Sequence, residues 1–311
     1  MTLYLVTGGA GFIGSSIAEA LLAGGDKVRI LDDLSSGRRE NLETLAGRLE
    51  FVQGTIVDPA TVERAMQGVE VVFHQAAIPS VARSVENPAA TMLVGVQGTT
   101  VVLDAARRSG VRRIVFAASS AVYGDSPALP KIETMEPQPL SPYAVSKLAG
   151  EFLMRVFAGL YGMETVSLRY FNVFGPRQDP RSDYAAVIPK FLAAAIRGER
   201  PIVFGDGEQT RDFCYVDDAV RANLLAASSP RKLRGEVLNV ACGERTSLNG
   251  LLRHIGEIAG GPLDPEFRPP RTGDVRDSLA DIRAARGSIG FAPSIDVRQG
   301  LQRTFDALRR R

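Results

Sequence analysis

The sequence predicts an α/β fold: a doubly wound parallel sheet with a smaller mixed C-terminal lobe. Three observations predict it. The chain has 311 residues, 45% of them hydrophobic, enough for one large α/β unit or two lobes. Short apolar strand-like runs alternate with helical patterns from residue 3 to about residue 170. Glycines at 8, 11 and 14 directly follow the first such run and open the first helical pattern.

Leu3 to Thr7 reads as a short buried strand. Gly8-Gly9-Ala10-Gly11-Phe12-Ile13-Gly14 follows, then Ile17, Ala18, Leu21 and Leu22 at helical spacing, stopping at Gly24-Gly25. A backbone free of side chains can turn tightly there and aim N–H groups and a helix N-terminus at a pyrophosphate. Lys27 to Leu31 is a second strand and ends on Asp32, 18 residues beyond Gly14. That is close to the spacing of the acid that binds an adenosine ribose. A carboxylate there favours NAD and repels the 2′-phosphate of NADP.

Leu49 to Gln53 is the next strand, with Thr55-Ile56 at its end. Val69 to Phe73 follows and delivers His74-Gln75-Ala76-Ala77, whose small residues would let a dinucleotide lie across the sheet edge. His74 has no partner acid or nucleophile nearby in sequence and is read as structural. A long helix is expected from about 89 to 109, and Arg112 to Ala118 is a strand that presents Ser119-Ser120 at its C-terminal end. Tyr123 to Leu140 carries four prolines and reads as a loop.

Ser141-Pro142 has the form of a helix start, with Ser141 as N-cap and Pro142 at the first helical position. Tyr143 and Lys147 then lie one turn apart on one face. A free tyrosine titrates near pH 10, and a base useful near neutrality needs roughly 4 kcal/mol of help. One ammonium about 4 Å away supplies about that much at an effective dielectric near 20. A cationic cofactor ring would add to it. Glu164 to Arg169 is the last clear strand and leads into Tyr170-Phe171-Asn172-Val173-Phe174-Gly175-Pro176. Beyond this the alternation breaks, and Arg177, Arg181, Arg211, Arg271 and Arg276 stand among turn residues, suited to a phosphate-bearing substrate. The predicted division is 1–171 for the dinucleotide and 172–311 for the substrate.

Lys plus Arg is 37 against 35 for Asp plus Glu, a balance that gives no reason to expect nucleic acid or a membrane surface as partner. Two cysteines, Cys214 and Cys242, exclude a disulfide framework and point to buried free thiols in a reducing compartment. With two histidines and no Cys/His cluster, no metal site is expected. No apolar run is read as a membrane span, and no signal peptide is read at the N-terminus, so the expected location is cytoplasmic.

Motifs along nearly the whole chain carry a resemblance. They are TGGAGFIG at 7–14, LDDLSSG at 31–37, SSAVYG at 119–124, SPYAVSK at 141–147, RYFNVFGPRQDP at 169–180, GDGEQTRDFCYVDD at 205–218 and RTGDVRDSLAD at 271–281. The chain resembles the extended short-chain dehydrogenase/reductases, and within them the nucleotide-sugar 4-epimerases, nearest the UDP-N-acetylglucosamine and UDP-glucose 4-epimerase group. The resemblance implies a Rossmann-like sheet, NAD as cofactor and a UDP-sugar as substrate. It implies Tyr143 as the base at the sugar 4-hydroxyl, Lys147 as its tuning cation and Ser119 as a hydrogen-bond partner of the same oxygen. Cofactor contacts are implied for Gly8, Gly11, Phe12, Ile13, Gly14, Asp32, Asp33, Ser35, Gly37, Thr55, Ile56, Ala76, Ala77, Tyr143, Lys147 and Tyr170. Substrate contacts are implied for Ser119, Ser120, Asn172, Val187, Arg211, Arg271, Asp274 and Ser278. The family also implies a homodimer built through a four-helix interface from helices near 89–109 and 141–157.

Related dehydratases carry Asp-Glu after the catalytic serine or threonine, and related decarboxylases carry Glu at the second place. Here Ser120 and Ala121 stand there, and neither supplies the acid or base an elimination needs. Ser278, where a tyrosine limits some epimerases to plain hexoses, leaves room for a 2-acetamido group. Three positions depart from the family pattern: Thr55 in place of an adenine-contacting Asp, Gly95 in place of an Asn, and Asp277 in place of a His. The alternatives are a UDP-glucuronate 4-epimerase or another nucleotide-sugar oxidoreductase on the same scaffold. From a different class, the chain could be a non-catalytic NAD-binding regulator. The presence of Ser119, Tyr143 and Lys147 together argues against the last.

Overall fold

A computed structural model describes residues 1–179, 186–270 and 276–310. Seven parallel strands form its central sheet: β1 (Leu3–Thr7), β2 (Lys27–Asp32), β3 (Glu50–Gln53), β4 (Val71–His74), β5 (Arg113–Ser119), β6 (Glu164–Tyr170) and β11 (Arg234–Val240). Their spatial order is β11-β6-β5-β4-β1-β2-β3. The order reverses between β1 and β4, which opens a crevice at the C-terminal strand ends. Strand β11, far along the chain, returns to this sheet beside β6.

Alternate strand residues point to opposite faces, and each face has its own core. Val6, Ile30, Phe73 and Val115 pack with α1 (Phe12–Ala23) and with α8 (Val216–Ser228). Leu5, Leu31, Val72, Ile114 and Phe116 pack on the other face with α2 (Pro59–Met66), α5 (Thr99–Arg108) and α6 (Pro142–Tyr161). Buried Arg113 ties the sheet to the end of α8. It bonds Glu164 and the carbonyls of Ala226, Ala227, Ser229 and Arg231, the last turn and exit of that helix.

Before α5 the chain forms α3 (Val81–Glu86) and α4 (Pro88–Met92), and a π-helical turn over Leu93–Gly98 joins α4 to α5. The expected 89–109 helix is therefore continuous but interrupted in its hydrogen bonding. A Cβ on Gly95 would lie 2.7 Å from Ser146 Cβ, so the bulged turn sits directly against α6. By length and composition the 21-residue stretch Pro88–Arg108 could cross a membrane, a correction to the sequence reading. In the fold, Val102, Leu103, Ala105 and Ala106 bury in the core against the sheet.

Helix α6 starts as expected, with the Ser141 hydroxyl accepting from Ala144 N at 3.2 Å. It runs on to Tyr161 and ends at Gly162, which has φ +68°. The remaining elements are short: β7 (Val173–Phe174), α7 (Val187–Arg197), β8 (Ile202–Phe204), β9 (Thr210–Arg211), β10 (Cys214–Tyr215), β12 (Thr246–Ser247), α9 (Leu248–Ala259), β13 (Glu266–Arg268), α10 (Arg283–Ile289) and α11 (Val297–Arg309). Cys214 is buried and Cys242 partly so, both as free thiols.

Candidate active site

A groove of ≈ 370 Å³ lies along the C-terminal strand ends. Its floor begins at the β1–α1 turn. Gly8 has φ +68°, and a Cβ there would fall 2.7 Å from Ala76 N. A Cβ on Gly14 would fall 2.3 Å from Gly8 O. No side chain is accommodated at either position, so the backbone folds on itself and leaves the N-terminus of α1 bare toward the groove. Gly11, Phe12 and Ile13 line it alongside.

Asp32 closes one end. Its Oδ2 accepts from Ala10 N at 2.9 Å and its Oδ1 from Leu34 N at 2.8 Å. Burial pushes this carboxyl up, and the two amide bonds oppose the rise. Asp33, Ser35, Thr55, Ile56, Ala76 and Ala77 line the same groove. Gly37 does not. It packs on Asp32, where a Cβ would lie 2.8 Å from Oδ1, and so fixes the acid from behind. The two arginines that follow are engaged elsewhere: Arg38 pairs with Asp179, and Arg39 bonds Gln53 at 2.7 Å. With an acid in place and both cations turned away, this end suits a ribose 2′-hydroxyl rather than a phosphate. A dinucleotide of the NAD type fits the glycine turn, the acid and the small residues of β4's end.

Tyr143, Lys147 and Tyr170 line the other end. Ser119 ends β5 directly beside Tyr170, its register partner on β6. Burial pushes the Tyr143 phenol up, and the Ser119 hydroxyl opposes the rise. The Lys147 Nζ lies 5.8 Å from the Tyr143 ring centroid and donates to Ala117 O at 2.7 Å. Burial pushes the Lys147 ammonium down to about 8, and the Glu151 carboxylate opposes this.

His74 lies behind the groove floor, fully buried, with Nδ1 2.7 Å from Thr7 Oγ1 and Nε2 3.0 Å from Thr99 Oγ1. Burial, and then the Lys147 charge, hold it down at about 3, so it is a neutral strut. The Tyr170 hydroxyl sits in a cluster with Asn223, which donates to it at 2.7 Å, and Gln75, which donates at 3.2 Å. Burial pushes this phenol up to about 12. Gln75, Val94, Ala117 and Ala118 also line the groove and were not singled out from sequence. Gln75 stands inside the small-residue run after β4, which was a usable signal. Val94 sits on the π turn, for which no pattern exists.

Of the substrate-side candidates, Asn172, Arg211 and Ser278 stand on segments joined by hydrogen bonds. Asn172 has φ +35°, and its Nδ2 donates to Asp212 O at 3.1 Å. Thr210 N donates to Arg276 O, and Ser278 N to Thr210 O at 3.1 Å. The Arg211 Nη1 donates to Thr210 O and Arg276 O. Asp277 accepts from Thr210 Oγ1 at 2.5 Å, which gives this family departure a holding role. Ser278 is partly buried, Ser120 is partly buried at the end of β5, and Val187 opens α7. Arg181, Arg271 and Asp274 lie outside the described residues. Among the described residues no cluster of three or more His, Cys, Asp and Glu is arranged to hold a metal ion.

Comparison with known proteins adds the following. A model of the NAD dependent epimerase/dehydratase family matches residues 4–241. A UDP-glucose 4-epimerase of Mycolicibacterium smegmatis is 43% identical over 309 residues, 98% of each chain. The solved UDP-glucose 4-epimerase of Thermotoga maritima with UDP-glucose superposes with TM-score 0.94 at 40% identity, covering 99% of both chains. The UDP-N-acetylglucosamine 4-epimerase of Methanobrevibacter ruminantium, in complex with UDP-N-acetylmuramic acid, superposes with TM-score 0.95 at 39% identity. It covers 99% of this chain and 98% of its own.

Proposed function

We infer the reaction from a plain premise: the chain belongs to the NAD dependent epimerase/dehydratase family. It is an NAD-dependent isomerase that inverts C4 of a UDP-hexose through a 4-keto sugar. The observation that carries this reading is the meeting of Tyr143, Lys147, the glycine turn and Asp32 in one groove.

When bound in this groove, NAD would supply the hydride acceptor and donor for the sugar C4. Gly8, Gly11 and Gly14 present backbone to its pyrophosphate, and Asp32 takes the adenosine ribose. Tyr143 removes the proton from the sugar 4-hydroxyl and later gives it back. Ser119, next to Tyr143, holds the same oxygen. Lys147 supplies positive charge to the phenolate, and the cofactor's own charge adds to it. Asn172 and Arg211 hold the diphosphate, with Arg271 as their third partner, and Val187, Asp274 and Ser278 border the sugar nucleotide. Ala121 offers no acid for elimination, so the keto sugar is reduced again. The net reaction is redox-neutral, and the protein need never release its cofactor. On this reading residues 1–171 hold the cofactor and 172–311 most of the substrate, with β11 crossing back. The small Ser278 admits a 2-acetamido group, so UDP-GlcNAc and UDP-glucose are both substrates. The enzyme works in the cytoplasm.

The functional unit is a homodimer. Val145, Phe152, Val156 and Leu160 form one exposed stripe along α6, and Leu93 on the π turn and Val81 and Val85 on α3 extend it. Seven large apolar side chains on adjoining helices are more than a monomer ordinarily shows to water.

The test uses purified protein with no added NAD, incubated separately with UDP-GlcNAc, UDP-glucose and UDP-glucuronate. The C4 epimers are then separated by chromatography. UDP-GalNAc and UDP-galactose are the expected products. UDP-galactose alone would remove the Ser278 argument, and no product even with NAD supplied would remove the reaction.

A further inference from the structure

Glu151 continues the face of α6 that carries the site. Tyr143, Lys147 and Glu151 follow each other at intervals of four residues, so each lies one turn beyond the last. Glu151 is 3% exposed and does not reach water. Two hydrogen bonds fix it to Arg169 on β6, Nε to Oε1 at 2.8 Å and Nη2 to Oε2 at 2.7 Å. Arg169 is equally buried, and its guanidinium lies 4.6 Å from the centre of the Tyr123 ring.

A buried ion pair is seldom kept for stability, because desolvation takes back most of its attraction. This one stands beside a third buried charge. The groups that face Lys147 are Tyr143 and Glu151 from its own helix, His74 from β4, and the Phe116 ring and Ala117 carbonyl from β5. Arg169 from β6 stands behind Glu151. Of these, Glu151 is the anion. His74 is held neutral.

We propose that Glu151, oriented by Arg169, is a positioning residue for Lys147: its carboxylate keeps the ammonium charged inside the protein and so maintains positive charge beside Tyr143. The trio Lys147, Glu151 and Arg169 carries a net charge of +1, the counterpart of one phenolate. Without Glu151, two cations would share a dry interior, and the lysine is the one able to release its proton. The proposal rests on the reading of Tyr143 and Lys147 given above.

The chain has five lysines, so protein labelled with 13Cε-lysine gives few signals, and Lys147→Met identifies that of Lys147. We expect the Lys147 titration midpoint to fall by about one unit or more in Glu151→Gln and to stay near the wild-type value in Glu151→Asp. Both variants lose thermal stability, so stability does not distinguish them. If Glu151→Gln fails to fold, the Glu151→Gln/Arg169→Met pair removes both charges at similar volume and is expected to show the same direction of shift. A folded Glu151→Gln or double variant with an unmoved midpoint overturns the proposal. In the rate arm, kcat of Glu151→Gln on UDP-glucose at pH 7 falls about tenfold or more while KM holds, and Glu151→Asp restores most of it. A moved midpoint with an unchanged kcat would uphold the tuning of Lys147 and overturn the catalytic reading of the site.

Discussion

Lys147 donates from Nζ to the carbonyl oxygen of Ala117 at 2.7 Å. Ala117 sits two residues before Ser119 on β5, so one strand end both anchors the lysine and presents the serine. The bond also holds a charge out of water. The Lys147 pKa of about 8 lies below the roughly 10.5 of an unfolded lysine. Below pH 8 the lysine is protonated in both states and its burial costs stability. Between about 8 and 10.5 the folded protein has already released the proton that the unfolded chain keeps, so stability rises with pH. Lys147→Met is therefore expected to be more stable than wild type at pH 7, by roughly 1–3 kcal/mol, with the gap closing toward pH 10.5. Its turnover should fall at least about a hundredfold. Thermal melts across pH with a parallel epimerase assay check both; a destabilised variant would mean that the Ala117 bond outweighs the desolvation.

Gly14→Ala should weaken cofactor binding strongly. The new Cβ would fall 2.3 Å from Gly8 O and 2.9 Å from Gly9 Cα, so the turn beneath the pyrophosphate must open. Titration calorimetry with NAD should show affinity reduced about a hundredfold or more, roughly 3 kcal/mol. As a control, Gly287→Ala on exposed α10 meets nothing within 4 Å and should stabilise by about 0.5–1 kcal/mol. Retained NAD affinity in Gly14→Ala would show that the turn relaxes.

The fold was legible where physics is local. The strand-glycine-helix unit, the acid ending β2 and the Ser141-Pro142 helix start are decided by neighbours in sequence, and each stands where it was read. The groove contacts of Gly8 to Gly14, Asp32, Tyr143 and Lys147 followed from them. What sequence did not give depends on separation in space. The Tyr170–Asn223–Gln75 cluster joins residues 53 to 148 positions apart. At the π turn over Leu93–Gly98, Gly95 meets Ser146 of α6, a contact between helices that no periodicity encodes. The anchor of the Lys147 ammonium is likewise non-local: Ala117, on another element, accepts from it.

If the proposed dimer forms through the α6 stripe, Phe152→Glu/Leu160→Glu should leave a monomer. Phe152 and Leu160 are 51% and 72% exposed on the stripe of α6, so two glutamates there cost the monomer little. In an interface between two copies they place four like charges in an apolar contact, a penalty of several kcal/mol. Light scattering at micromolar concentration should give the mass of two chains for wild type and one for the variant. A monomeric wild type would remove the dimer.

Asp212 tests how the segments proposed to hold the substrate are joined. Its carboxylate accepts from Cys242 N at 2.9 Å, Gly243 N at 3.0 Å and Ala280 N at 3.1 Å, while its own carbonyl receives Asn172. One residue, through its carboxylate and its carbonyl, thus joins the segments that carry Asn172, Arg211 and Ser278. Burial pushes this carboxyl up to about 6, outweighing the three amides that favour its charge. An aspartate in the unfolded chain titrates near 3.9. Between about 4 and 6 the folded protein therefore holds a proton that the unfolded chain has lost, and this group's contribution to stability declines as pH rises. Asp212→Asn lacks that slope and sets an NH₂ against at least one amide, which costs about 1–3 kcal/mol. Its stability deficit should be larger at pH 4 than at pH 7, and its KM for UDP-glucose should rise several-fold with kcat less affected. Urea titrations at the two pH values read the first and steady-state kinetics the second. A deficit that grows with pH would show that the three amides, not burial, govern the carboxyl.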